Sequence, residues 1–250
     1  MDWGVKPTED GKPICTYLDW DSRFFERRIA RVNGDRLDDA KLSQVLGWCR
    51  SNRIDCLYFL ADSDDAQTSF LAERNGFLHT DVRLTFERSL TGGAPVTPPG
   101  DRVRVARDLD LEALKAIART GHRDTRFYFD FRFERARCDL LYETWIENSF
   151  SGFAQAVLVA EVNQEAVGYI TCCLRGTESQ IGLVGVANQC QGMGLGQELT
   201  EAFLAWSVEK GSRRATVVTQ GRNLSAQRLY QRMGFLTASL QLWYHRWFVD

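Results

Sequence analysis

The chain has 250 residues, 44% of them hydrophobic and 12% aromatic, with 31 Lys and Arg against 33 Asp and Glu. That is enough apolar material for two ordinary domains or one large one. A net charge of −2 without long runs of one sign argues against nucleic acid or an anionic membrane as partner, since either needs a cationic face. No stretch approaches the roughly 20 apolar residues of a membrane span. The polar start MDWGVKPTEDGKP lacks an apolar leader, so a cytoplasmic setting is expected. The seven cysteines (15, 49, 56, 138, 172, 173 and 190) are odd in number and show no CxxC spacing. They read as reduced, largely buried thiols rather than a disulfide framework, and no metal site is expected.

In chain order, the first clear elements are a strand at LYFLA (57–61) and a helix end running into a strand at TSFLAERNGFL (68–78). A break follows at TGGAPVTPPG (91–100), which holds three of the five prolines and reads as a connector. It divides the chain into a first domain, 1–90, the linker, 91–100, and a second domain, 101–250.

The second part alternates strand and helix. RVRVA (102–106) reads as strand and DLDLEALKAIAR (108–119) as helix, with acidic residues that suit its N-terminus. The polar-aromatic stretch HRDTRFYFD (122–130) precedes a helix at 136–150. Strands follow at 154–162, 166–174 and 181–187, then a glycine-rich turn and a helix at about 195–210. The strand RATVVTQ (214–220), a helix at about 224–233 and the alternating run LTASLQLWYHRWF complete the chain. This order predicts an α/β (α+β) domain with a mixed central sheet.

The two parts share one pattern. AQRLYQRMGFL (226–236) repeats TSFLAERNGFL 158 positions later, and the offset also aligns Trp48 with Trp206, Leu46 with Leu204 and Arg88 with Arg246. A constant offset over some sixty residues indicates one supersecondary unit used twice. The copies differ at one chemical position, where Ala72 stands against Tyr230.

Gln191-Gly192-Met193-Gly194-Leu195-Gly196 lies between a strand and a helix. Glycines there let backbone N–H groups approach an anion, and the helix start adds its positive dipole. Alone this is a weak signal, and it lacks the Lys-[ST] of a P-loop. Together with Asn223 and the run Ala226, Leu229, Tyr230, Gly234, Phe235 it resembles the GCN5-related N-acetyltransferase (GNAT) superfamily over residues 101–248. The resemblance implies a GNAT fold preceded by a degenerate GNAT-like half, and acetyl-CoA as cosubstrate with no metal. It places the cofactor diphosphate on Gln191 to Gly196, with Gln197 next in the helix. The pantetheine arm falls on Leu183, Val184, Gly185 and Val186, with Asn223 and Leu229 beside it. Tyr230 takes the place of the general acid, which suits a phenol of ordinary pKa ~10 facing a leaving thiolate.

DTRFYFDFRF followed by LYETWIENSFSG, behind a degenerate half, looks like the dTDP-fucosamine acetyltransferase group. That likeness implies acetyl transfer to the amine of a nucleotide-linked amino deoxysugar, by direct attack in a ternary complex. Arg126 would then serve the diphosphate, and Phe127 or Tyr128 would stack on base or sugar; the bland reading of Arg126 is a surface charge. Tyr142 and Trp145 read as core. Asp81 is a candidate general base, and reads equally as a solvated strand-face carboxylate with a water chain taking the proton. In the first copy NGDRLD (33–38) puts Asp35 and Asp38 where the diphosphate would lie, and Asp65 replaces Asn223, so no cofactor site is expected there.

Two other readings stay open: a GNAT acting on a protein N-terminus, antibiotic or polyamine, and a non-catalytic acyl-CoA-binding regulator. The final aromatic run would either complete the sheet or supply the interface of a homodimer.

Overall fold

A computed structural model describes residues 13–92 and 100–248. Most of the proline-rich connector and the first twelve residues lie outside that description. The first copy contains β1 (Cys15–Tyr17), α1 (Asp19–Phe25), β2 (Ile29–Val32), α2 (Asp39–Ser51), β3 (Cys56–Asp62), α3 (Ala66–Arg74) and β4 (Leu78–Ser89). The second contains β5 (Val103–Val105), α4 (Leu111–Gly121), α5 (Arg126–Phe129), α6 (Arg135–Asn148), β6 (Ala156–Val162), β7 (Glu165–Arg175), β8 (Glu178–Val186), α7 (Leu195–Glu209), β9 (Arg214–Gln220), α8 (Leu224–Arg232) and β10 (Leu236–Trp247). At the offset of the sequence repeat, β3, α3 and β4 coincide end for end with β9, α8 and β10. The repeat read from the sequence is therefore a repeat of structure.

The compact units do not follow the connector. One comprises residues 1–83, 126–133 and 240–250, and the other 84–125 and 134–239. In the first unit the strand order is β1-β2-β3-β10-β4. β2 and β3 are parallel, and Gln241–Trp247 of β10 pairs antiparallel with Cys56–Asp62. In the second unit the order is β4-β9-β8-β7-β6-β5, with β8 and β9 parallel and β5 to β8 antiparallel. Each unit thus uses the last strand of the other copy beside its own penultimate strand.

Burial explains the elements locally. β3 is buried on both faces at Cys56 to Phe59, as a central strand requires. α4 turns Leu114, Ile117 and Ala118 inward, three and four apart. It packs on α6, β7 and β8, whereas α7 packs on β6, β7 and β8. A Cβ on Gly168 would meet Leu199 of α7 at 3.3 Å, whereas neighbouring Tyr169 reaches His122 at the end of α4. Adjacent strand residues face opposite ways, so the two helices cover opposite faces of the second unit's sheet. The expected strand 154–162 starts only at Ala156, because the chain before it makes a π-turn with Gly152 at φ 103°. The helix expected from Asp108 begins with a 3₁₀ turn, where buried Asp110 accepts from Arg104 and from the Arg107 amide.

Candidate active site

β8 leads through a short 3₁₀ turn, Asn188–Cys190, into the glycine turn and then α7. Gly192 and Gly194 have φ of 82° and 81°, in the left-handed region that favours glycine, and a Cβ on either would meet nothing within 4 Å. Gln191 Nε2 holds the entry, donating to Asn188 Oδ1 at 3.1 Å and Val186 O at 3.5 Å. Gly194 caps α7 without a side-chain bond. Among the described residues the amides of Leu195 and Gly196 have no acceptor, as is usual for first-turn amides of a helix without a side-chain cap. Residues 191–194 are all exposed. This open, amide-lined start of α7 fits a diphosphate.

The matching place in the first copy is filled. Gly34 keeps φ 80°, but Lys41 Nζ would stand 2.9 Å from a Cβ there and donates to Arg36 O at 2.8 Å. The Asp38 carboxylate accepts from the Lys41 amide at 2.7 Å and occupies the helix start. The amide of Leu37 goes to Thr68 Oγ1 at 2.7 Å.

β8 and β9 pair only over Glu178–Ile181 and Arg214–Val217, although both strands continue beyond. On its other side β8 stays bonded to β7: Leu183 N donates to Thr171 Oγ1 at 2.7 Å and Ala187 N to Val167 O at 2.8 Å. By alternation the amides of Val184 and Val186 face the open side. Of the four residues expected along the pantetheine arm, these two offer backbone groups. Leu183 does not, and Gly185 lies against Tyr169, whose ring a Cβ on Gly185 would meet at 3.0 Å.

α8 carries the remaining cofactor candidates. Asn223 Oδ1 caps the helix by accepting from Ala226 N at 3.1 Å. Leu229 Cδ2 would lie 3.4 Å from a Cβ on Gly196, so these two candidates meet. Tyr230 is 2% exposed, its ring 6.0 Å from Phe86 and 5.9 Å from Phe235. Burial pushes its phenol above the ordinary range, so it holds its proton more tightly than a solvated tyrosine. In the first copy Asp65 caps α3, and Ala72 is fully buried in a core that includes Phe77 and Tyr244.

The acceptor candidates behave differently. Phe127 and Tyr128 are 3% and 6% exposed, and Phe127 stacks on Phe25 at 5.4 Å. Arg126 lies 4.1 Å from the rings of both Tyr58 and Trp243 and donates to His245 Nε2 at 2.9 Å. The exposed aromatics of residues 126–133 are Phe129 and Phe131. Asp81 is buried rather than solvated, and its Oδ1 accepts from the Val82 amide at 2.9 Å.

Two polar groupings escaped the sequence reading. His122 Nε2 stands 2.7 Å from Tyr169 Oη, and its ring stacks on Tyr142 at 4.6 Å. Burial lowers the imidazole to about 4 and raises the phenol, so the pair is neutral. In the first unit Asp130 accepts from His245 Nδ1 at 2.7 Å and Trp247 Nε1 at 2.8 Å, which anchors the 126–133 segment. Neither histidine falls in a motif, and each partner is distant in sequence. All seven cysteines are free and five are buried.

Residues 119–235 match the profile described as the acetyltransferase (GNAT) family. The spore coat polysaccharide biosynthesis protein SpsD of Bacillus subtilis (strain 168) is 28% identical over 151 residues, 60% of this chain and 52% of SpsD. The chain therefore spans about half the length of that curated relative. A GCN5-related N-acetyltransferase from Sphaerobacter thermophilus superposes with a TM-score of 0.67 at 14% identity, over 93% of this chain and 76% of that one. A functionally unknown conserved protein from Staphylococcus epidermidis ATCC 12228 gives 0.70 at 14% identity, over 97% and 94%. At these identities the likeness is one of fold.

Proposed function

We propose that this chain is an acyl-CoA-dependent enzyme of the acetyltransferase (GNAT) family, whose profile residues 119–235 match, and that it acetylates the amine of a nucleotide-linked amino deoxysugar by direct attack in a ternary complex. The observation that carries the cofactor half is the open turn at Gly192 to Gly196 beside the unpaired edge of β8. The similarity to a protein of spore coat polysaccharide biosynthesis supports a sugar-derived acceptor.

Acetyl-CoA supplies an acetyl group already activated as a thioester. The amides around Gly192 to Gly196 bind the diphosphate, Val184 and Val186 offer strand-like hydrogen bonds to the arm, and Asn223 and Leu229 line it. Tyr230 Oη holds its proton throughout the neutral range, because burial raises the phenol, and is assigned as donor to the departing sulfur. The acceptor amine must be neutral to attack, and Asp81 or a water chain takes its proton. Phe127 and Tyr128 are buried and Arg126 is held by Tyr58, Trp243 and His245, so stacking on base or sugar falls instead to the exposed aromatics of the same segment, Phe129 and Phe131.

Release of free CoA across nucleotide-linked amino sugars, amino-terminal peptides, polyamines and aminoglycosides tests this reading. Turnover confined to nucleotide sugars is expected. Turnover on peptides alone would reject the sugar assignment, and none on any amine despite acetyl-CoA binding would favour a regulator.

A further inference from the structure

Arg102 precedes β5, far in sequence from the glycine turn, yet it binds the turn and the helix after it. Its Nε donates to Glu198 Oε2 at 3.0 Å, and its Nη2 donates both to Glu198 Oε1 and to the carbonyl of Met193 at 3.3 Å. Glu198 lies in the first turn of α7, where a carboxylate favours the helix dipole but opposes any anion on the same amides. The guanidinium cancels that charge. It also fixes the Met193–Gly194 peptide: in a planar trans peptide the Gly194 N–H points opposite to the Met193 carbonyl, away from Arg102.

We propose that Arg102 is a positioning residue for cofactor binding, which neutralises Glu198 and orients the Met193–Gly194 peptide so that the turn accepts a diphosphate. This rests on the reading that the turn binds the diphosphate of acetyl-CoA.

The test compares acetyl-CoA with acetyl-pantetheine, which lacks the diphosphate, in the full chain and in Arg102→Ala, Arg102→Lys and Arg102→Ala/Glu198→Gln. Arg102→Ala should raise KM for acetyl-CoA about tenfold, in line with a charge at a helix start, with kcat within about twofold. KM for acetyl-pantetheine should not change. Arg102→Lys and the double variant should each recover most of the loss, since the first restores a compensating cation and the second removes the carboxylate. An equal loss with both cosubstrates, or no recovery in the double variant, overturns the proposal while leaving the diphosphate reading intact. Equal KM for both cosubstrates in the unaltered enzyme overturns the diphosphate reading and the proposal with it.

Discussion

Arg88 Nη1 donates to the carbonyl of Met233 at 2.7 Å across 145 positions of chain. Arg246, the counterpart of Arg88 in the second copy, donates to the carbonyl of Asn75, the counterpart of Met233 in the first. Each arginine sits on the last strand of one copy and satisfies a helix-end carbonyl of the other, where a cation is favoured. The two bonds are therefore signatures of a reciprocal strand exchange. Removing residues 240–250 would strip β3 of its antiparallel neighbour. The amides of Cys56–Asp62 should then lose hydrogen-exchange protection in the truncated chain, and full protection there would contradict the exchange.

Tyr230→Phe removes one oxygen from a packed ring, so stability should hardly change. If the phenol is the acid, kcat falls by about a hundredfold, the lower end for a general acid, with KM for acetyl-CoA little altered. Steady-state kinetics decide; unchanged kcat would remove Tyr230 from the chemistry.

The first copy should bind no cofactor, because Lys41 and Asp38 fill its turn. Isothermal titration calorimetry should give one acetyl-CoA per chain. Ala72→Tyr, which restores the phenol to that copy, should destabilise by about 1–3 kcal/mol or more, since it forces a ring into a filled core. A denaturant midpoint left unchanged would show that the core has room.

Gly194→Ala places a side chain at φ 81°, a conformation that costs about 1–2 kcal/mol. Space is open around it, so the loss should come from a shifted turn. The expected result is weaker acetyl-CoA binding by thermal shift, with a melting temperature in the absence of ligand only slightly lowered.

His245 gives a pH signature. Burial and the nearby Arg126 charge lower its pKa from 6.5 to about 4, although Asp130 pulls the other way. Between those values the unfolded chain binds a proton that the folded chain does not, so stability is lost as pH falls from 6.5 towards 4, by up to about 3 kcal/mol. For Asp130, burial alone would raise the pKa, but hydrogen bonds from His245 and Trp247 outweigh it and hold the carboxyl low, below this window. Urea melts at pH 7 and 4.5 measure the slope; buried His122, also lowered to about 4, adds a like contribution, so His245→Gln should remove about half of it.

The glycine turn was legible because its chemistry is local: a strand, left-handed glycines and a helix start are set by neighbours in the chain. Tyr230 and Asn223 were legible as positions in a pattern, though not the burial that raises the phenol. Phe127 and Tyr128 read as free aromatics, yet Phe25, Tyr58 and His245 surround Phe127. Arg102 carried no signal, because its partners lie 91 and 96 residues away.

From the sequence alone came the succession of strands and helices, their repetition at a constant offset and the place of the glycine turn, all governed by periodicity and backbone freedom over a few residues. Only the tertiary structure decided that β3 takes β10 as its neighbour, that one glycine turn stays open while its counterpart is filled, and which side chains are exposed. Those outcomes depend on hydrogen bonds and burial between residues far apart in the chain, which no local pattern encodes.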